Sequence, residues 1–481
     1  METDGAISGA LAAGAQAAGT TRLRRLRIEL RELMRLAVPI AVAQAGLALM
    51  GVVDTAVVGR LGAAALGAVG LSNGIFFAVA IVGIGTVMGL DPLIAQAFGA
   101  RDRRRARELL WQGAWLALFT SLVLAIPLSF APGLIDAAGI DPEVNRGAKA
   151  FLWWRLPGLF PMLLFVALRS YLQAAHTVVP LVVSTVIANV CNLLLDILLV
   201  FGGAQLPAWT GPLHSVPAMG PAGSGLATSL CNVVQALTLL VPAAALRGRE
   251  PVRRTALMRD IRAALRVGAP VGLQMGAEVS IFALVGILAG RISQLAIAAH
   301  QVAISFASFS FCFAVGIGNA GSVRVGWAIG ARDTASARRS GLVAFAAGAG
   351  IMTLFALVFL LFPGRVASIL TDRADVLAAT TPVLVVAAFF QISDGIQGVG
   401  AGVLRGAGDT RFAFLANLLG HYAIGLPVAV VLGLGVHRSV IGLWWGLCAG
   451  LTAVAAALLS RFVRLSSREI VPLEPHPALP R

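Results

Sequence analysis

The sequence predicts an all-α integral membrane protein of twelve transmembrane helices, arranged as two parallel six-helix lobes related by pseudo-twofold symmetry. Three observations lead there. Across 481 residues, 58% are hydrophobic and 12% are charged, a balance that places the chain in the bilayer. Twelve apolar stretches, each near the ~20 residues that a membrane-crossing helix needs, follow one another along the chain. The second half also repeats the first at a fixed spacing.

In order, the spans fall at 34–58, 67–92, 109–131, 150–171, 179–201 and 223–245, then at 266–290, 297–323, 341–362, 377–403, 412–434 and 440–462. They lack the alternation of apolar and polar residues that a membrane β-barrel requires. Residues 1–33 are expected to form a cytoplasmic tail, disordered because its Gly/Ala-rich start carries too little to bury. The apolar run behind it is too long for a signal-peptide core, so no cleavage is expected. The N-terminal lobe is expected over 34–246, a cytoplasmic linker over 247–265, the C-terminal lobe over 266–464 and a cytoplasmic tail over 465–481.

A net charge of +15 would suit a nucleic-acid binder, but its distribution argues for orientation instead. An even number of spans puts both termini on one side. That side carries Arg22 to Arg35, the run Arg101-Asp102-Arg103-Arg104-Arg105, the linker arginines, Arg332 to Arg339, and the tail from Arg461. The other side is poor in cations, with Arg60, Arg146, Lys149, Arg155, Arg291, Arg365, Arg373 and Arg438. The positive-inside rule then predicts an inner (plasma) membrane protein with both termini cytoplasmic and no nucleic-acid partner. Cys191, Cys231, Cys312 and Cys448 all lie within spans and read as small packing residues.

The repeat has one constant offset. Pro39 matches Pro270, Gly59-Arg60 matches Gly290-Arg291, Gly85 matches Gly316, and Gly99-Ala100-Arg101-Asp102 matches Gly330-Ala331-Arg332-Asp333, all 231 residues apart. Six spans per half bring the second half into the membrane from the same side, so the repeats are parallel. Such transporters bind substrate near the midplane and rock one lobe against the other.

Two acids stand in the middle of apolar stretches: Glu278 in VGLQMGAEVSIFALVGILAG and Asp394 in TPVLVVAAFFQISDGIQGVGAGV. A carboxylate at the bilayer centre costs at least ~2.5 kcal/mol and marks a substrate, ion or proton path by default. Burial disfavours its charge while a nearby cation favours it, so a proton and a cationic substrate can displace each other there. Asp54 and Asp196 lie about five residues from the outer ends of their helices, where reaching interfacial water is the plainer role. Asn192 shares a helix face with Asp196, and Asn189 lies on the same helix. Asp91 is expected at the cytoplasmic interface, and Arg324 and Arg405 are expected as anchors at cytoplasmic helix ends. Phe282, Phe306, Phe309, Phe389 and Phe390 are candidates to line a cavity and hold cations on their ring faces; packing or lipid contact is the alternative for each. His300 and Gln301 join that set, although a lone histidine in a span more often packs than relays protons.

Several segments resemble the multidrug and toxic compound extrusion (MATE) family, in its bacterial NorM-like branch. The first span reads LAVPIAVAQAGLALMGVVDTAVVGRLG. The seventh and eighth read APVGLQMGAEVSIFALVG and AAHQVAISFASFSFCFAVGIGNAGSVRVG, and the tenth reads FFQISDGIQGVGAGVLRGAGDT. The resemblance runs from about residue 34 to 464. It implies the MATE/MOP-type fold and an antiporter that expels organic, often cationic, drugs or metabolites in exchange for protons or sodium ions. It also implies a cation or proton site at Glu278 and Asp394, and a second one at Asp54, Asn192, Asp196 and Thr228. No cofactor beyond the coupling ion is implied, and the partners are a small organic substrate and the bilayer; the oligomeric state is left open. Two positions depart from the pattern. Phe390 stands where some sodium-coupled relatives carry a Tyr oxygen, which favours protons. Trp327 stands where the family usually has Asn.

The alternatives are a major-facilitator exporter, which also has twelve spans in two parallel halves, and a lipid-linked oligosaccharide flippase. A flippase would call for cations deep in the cavity, and here the deep groups are acids. A membrane-embedded prenyl-diphosphate transferase would need clustered carboxylates for Mg²⁺; Asp372 and Asp375 are isolated, so no enzyme is expected.

Overall fold

The computed structural model describes residues 24–474 except 205, 206, 208, 247, 249, 250, 436 and 437. Of the expected tails, residues 1–23 and 475–481 lie outside the described residues. Among those described, twelve helices are long and apolar enough to cross a membrane. The N-terminal lobe holds α1 (Arg24–Leu61), α2 (Ala63–Gly99), α3 (Arg103–Ala137), α4 (Pro142–Ala174), α5 (Val179–Phe201) and α6 (Pro221–Ala245). The C-terminal lobe holds α7 (Met258–Ile292), α8 (Gln294–Gly330), α9 (Thr334–Leu361), α10 (Ala374–Gly406), α11 (Thr410–Gly435) and α12 (Val440–Leu465).

Most helices outrun the apolar stretches that announce them. At ~1.5 Å per residue, a helix of 35 residues spans ~50 Å, more than the hydrocarbon core alone. Residues 24–33, expected in the disordered tail, continue α1 as regular helix. Leu33 there is fully buried, and Glu29 is held by Arg324 Nε at 2.7 Å and Ser340 Oγ at 2.6 Å, so this segment has partners to order it.

The repeat seen in the sequence is repeated in backbone detail. Two residues beyond the ends of α2 and α8 stand Arg101 and Arg332, both left-handed with φ of 61° and 57°. In each case the following aspartate then caps the next helix: Asp102 accepts from Arg105 N and Asp333 from Ser336 N, both at 2.8 Å. The lobes meet through α1 against α8 and α2 against α7, a pair of crossings exchanged by the pseudo-twofold axis. Both crossings use small residues. A Cβ on Gly85 would sit 2.5 Å from Gly272 Cα, and one on Gly316 would sit 2.7 Å from Ala41 Cβ.

All hydrogen bonds and ion pairs that join the lobes among the described residues lie at one end, the end of the α6–α7 linker. Arg405 Nε lies 3.1 Å from Asp91 Oδ2, with Arg405 itself held within its own lobe by Nη2 donating to Asn319 Oδ1 at 2.6 Å. Trp327 Nε1 donates to Ala174 O at 2.8 Å, and Gln96 accepts from Leu473 N at 2.8 Å. Arg105 reaches Asp260 at 2.7 Å and Glu474 at 2.6 Å. This corrects two expectations. Asp91 is not interfacial but buried, because α2 breaks at Met88–Gly89 and its last segment, Leu90–Gly99, turns into the protein, where Ser170 also donates to Asp91. Arg324 and Arg405 are not lipid anchors but cross-lobe ion-pair partners.

Gly85→Leu should keep the lobes from closing at this crossing. The expected result is loss of the monodisperse folded peak in size-exclusion chromatography, or a fall of several degrees in melting temperature, with Gly51→Leu, whose surroundings are open, as the harmless control.

Candidate functional site

A cavity of about 350 Å³ lies between the lobes, walled by α2, α7, α8, α10 and α11. Helix α7 supplies one continuous stripe to it: Val271, Gln274, Met275, Glu278, Val279 and Phe282. Their spacing of three and four residues keeps them on a single helical face. Phe77, Ile81 and Met88 of α2 face this stripe, and Gln397, Ala401 and Arg405 of α10 complete the wall.

Glu278 is the carboxylate of that wall. Its Oε2 accepts from Gln397 Nε2 at 3.2 Å and from Asn417 Nδ2 at 3.5 Å. Both partners are neutral amides, so the hydrogen bonds orient the carboxylate without neutralising it. Helix α11 is fixed to α7 around this point by Thr410 Oγ1 donating to Val267 O at 2.8 Å and Tyr422 OH donating to Ala277 O at 2.9 Å. A π-helical turn, Leu419–Gly425, carries that tyrosine, and such turns recur at functional sites. Asp394 is buried on α10, one turn before Gln397. Glu278 lines the cavity wall, and Asp394 is buried on the helix whose Gln397 holds Glu278.

The N-terminal lobe gathers the other four candidates. Asp54 Oδ1 accepts from Asn192 Nδ2 at 2.8 Å, and Oδ2 accepts from Thr228 Oγ1 at 3.1 Å. Asp196 is fully buried, with Asp54 and Ser224 as its polar neighbours. The plainer role for Asp196, reaching interfacial water, does not fit that burial. Asn189 takes no part: its amide donates to Gly46 O and Thr185 O, both at 2.9 Å, and ties α5 to α1.

Of the proposed cavity set, Phe282 lines the cavity. The rest are placed elsewhere by the helical faces they occupy. Phe390 and His300 are buried against Trp444 of α12. Phe306 packs on Phe359, and Phe309 on Phe313 and Phe355, filling the seam of α8 and α9. Phe389 stacks on Trp445 and is 51% exposed, and Gln301 is likewise exposed. Sequence reasoning missed Gln397 and Asn417, and it placed among the outer loop cations Arg155, which is buried in α4. Gln397 shares a face with Asp394 at a spacing of three, a signal that was present. Arg155 is a cation just inside an apolar span, which is also a signal. Asn417 meets Glu278 only through tertiary packing and had none.

A twelve-helix bundle of two repeated lobes, with a cavity between them and buried acids in each, defines a membrane transporter of the two-lobed class. The MatE family model matches residues 39–198 and 270–431, one copy in each lobe. "Probable multidrug resistance protein NorM" of Mesorhizobium japonicum is 33% identical over 453 residues, covering 91% of this chain and 94% of its own length. A Deinococcus radiodurans protein of the same name is 35% identical over 441 residues, covering 90% and 95%. The crystal structure of the eukaryotic MATE transporter AtDTX14 superposes with a TM-score of 0.79 at 20% identity, covering 91% of this chain and 96% of that one. The chain belongs to the MatE family. It is a multi-pass membrane transporter and not an enzyme, and the major-facilitator alternative falls away.

The Asp91–Arg405 pair at the cavity floor can be tested by a double-mutant cycle. Arg405→Gln should destabilise the protein by about 3 kcal/mol, because it strands a buried carboxylate. The Asp91→Asn, Arg405→Gln double variant should recover part of that loss, read by fluorescence-detected melting in detergent.

Proposed function

We propose that this protein exports organic cations, drugs or metabolites, from the cytoplasm in exchange for protons, by alternating access of the cavity between its lobes. The observation that carries this reading is Glu278: an intramembrane carboxylate on the wall of a mostly apolar cavity, held by two amides and by no cation. An apolar wall suits the hydrocarbon part of an amphipathic substrate, and the carboxylate suits its charge. The same carboxylate takes a proton when the cation leaves. The names of the bacterial relatives, multidrug resistance proteins, support drug efflux as the physiological setting.

Orientation follows the arginine distribution. With both termini and the linker in the cytoplasm, the joined end of the lobes is the cytoplasmic end, and the cavity belongs to an outward-facing state. Protons or sodium ions entering down a membrane potential each contribute ~2.3 kcal/mol per 100 mV. Protons are preferred because Phe390, buried among aromatic rings, offers no oxygen near Asp394. Asp54, Asn192, Asp196 and Thr228 form a second coupling site in the other lobe. A flippase of anionic lipid-linked sugars is disfavoured, since Glu278 would repel the substrate and Arg405 is engaged by Asp91.

The test is efflux of ethidium from proteoliposomes under an imposed pH gradient or an imposed Na⁺ gradient. The wild type is expected to respond to pH. Glu278→Gln and Asp394→Asn should each lower pH-driven efflux by about tenfold or more, the scale expected for losing an essential intramembrane acid. Wild-type efflux in both variants would refute the C-lobe mechanism, and efflux driven by Na⁺ alone would refute proton coupling.

A further inference from the structure

A separate cavity, of about 410 Å³, lies at the linker end of the N-terminal lobe, between the start of α3 and the end of α6. Arg107, Leu110 and Trp111 of α3 line it, with Leu240 and Ala243 of α6 and Arg254 of the linker. Among the described residues that line it, two are arginines and none is an acid. The cavity between the lobes, by contrast, carries Glu278.

The arginines are held in place. The linker is strapped to α3 through Gln112, whose Nε2 donates to Thr255 O at 2.9 Å and whose Oε1 accepts from Leu257 N at 2.8 Å. Trp115 Nε1 donates to Arg254 O at 2.8 Å and fixes the backbone of that arginine. Its guanidinium carbon lies 5.4 Å from the ring centre of Trp111, where cation–π attraction keeps it at the cavity. Arg107 is buried, with Nε donating to Arg103 O at 3.3 Å and Nη1 to Gly248 O at 3.0 Å. Arg253 reaches Thr255 Oγ1, and neither it nor Arg254 meets a carboxylate among the described residues.

The cavity straddles the limits of two spans. The apolar stretch of α3 begins at residue 109 and that of α6 ends at residue 245, so the arginines stand where the helices leave the hydrocarbon. From this level an apolar stripe runs down each helix. Val233, Leu237, Leu240 and Val241 are exposed on α6 at helical spacing, and Trp111, Phe119 and Leu122 on α3. Helix α4 packs against both and backs the groove between them.

We propose that this cavity binds the headgroup of an anionic phospholipid, with its phosphate on Arg107 and Arg254 and its acyl chains along the stripes of α3 and α6. Guanidinium groups match phosphate oxygens with paired, charge-assisted hydrogen bonds. A basic cavity between helices at the membrane surface is where such a headgroup is recognised. Trp111 fits the same level, because its ring is apolar and its N–H is polar. The continuity of the cationic cavity with the apolar stripes points to a lipid in preference to a free phosphate, which would use the arginines alone. The site lies outside the cavity between the lobes and does not depend on how that cavity works.

The experiment titrates delipidated protein with phosphatidylglycerol or phosphatidylcholine of identical acyl chains and counts bound lipid by native mass spectrometry. The wild type should hold phosphatidylglycerol about tenfold more tightly, the scale of two arginines beside an anionic headgroup. Arg254→Gln should weaken phosphatidylglycerol about fivefold and leave phosphatidylcholine unchanged. Arg60→Gln, at an exposed arginine of the opposite end, should alter neither. Equal retention of the two lipids by the wild type would overturn the proposal, and that arm needs no variant. Undiminished retention of phosphatidylglycerol by folded Arg254→Gln would overturn it too. Displacement of the bound phosphatidylglycerol by millimolar inorganic phosphate would assign the arginines to a free anion and refute the lipid assignment.

Discussion

How closely α2 can approach α7, and α1 approach α8, governs the rest of this structure. Gly85 faces Gly272, and Gly316 faces Ala41, so nothing larger than a methyl group stands between the backbones. In a bilayer, where lipid tails are as apolar as any side chain, close packing of small residues is what holds helices together. That approach in turn brings Asp91 of one lobe to Arg405 of the other, at a separation only a tight crossing permits. A buried pair of this kind contributes little net stability but specifies one register of the lobes. Smooth crossings without large interlocking side chains also leave the lobes able to tilt about the contact. The cavity then exists because the lobes are joined at one end and not at the other.

The backbone of the two lobes is repeated, but their chemistry is not. At the offset of 231, Asp54 corresponds to Val285 and Glu278 to Leu47. The acid of the C-terminal lobe faces the central cavity with amide partners. The acids of the N-terminal lobe are enclosed with hydroxyl and amide partners. The pseudo-twofold scaffold therefore carries two unlike clusters of acids, one on the wall of the cavity and one enclosed within its lobe.

Much of this was legible in the sequence because the bilayer makes strong demands on it. Apolar runs mark the spans, and an acid such as Glu278 within one stands out. The cross-lobe partners were not legible. Asp91 and Arg405 lie near the ends of their spans, where hydropathy cannot separate a lipid anchor from a buried ion pair. The aromatic candidates could not be told apart for a related reason: Phe282, Phe306 and Phe389 are equally apolar, and lipid, seam and cavity select the same residue type. Convergence of Asp54, Asn192, Asp196 and Thr228 entered the sequence reading through family resemblance, since three different helices supply them. Arg155 was misplaced because its span was drawn from hydropathy alone and its charge was assigned to the adjoining loop.

The central claim is that one carboxylate serves proton and organic cation in turn. Its most direct measurement is calorimetric: titrate tetraphenylphosphonium into the purified protein in detergent, using buffers of different ionisation enthalpy, and count the protons released on binding. The account predicts that the wild type releases a proton when the cation binds and that Glu278→Gln releases none. Cation binding by the wild type without proton release would contradict it.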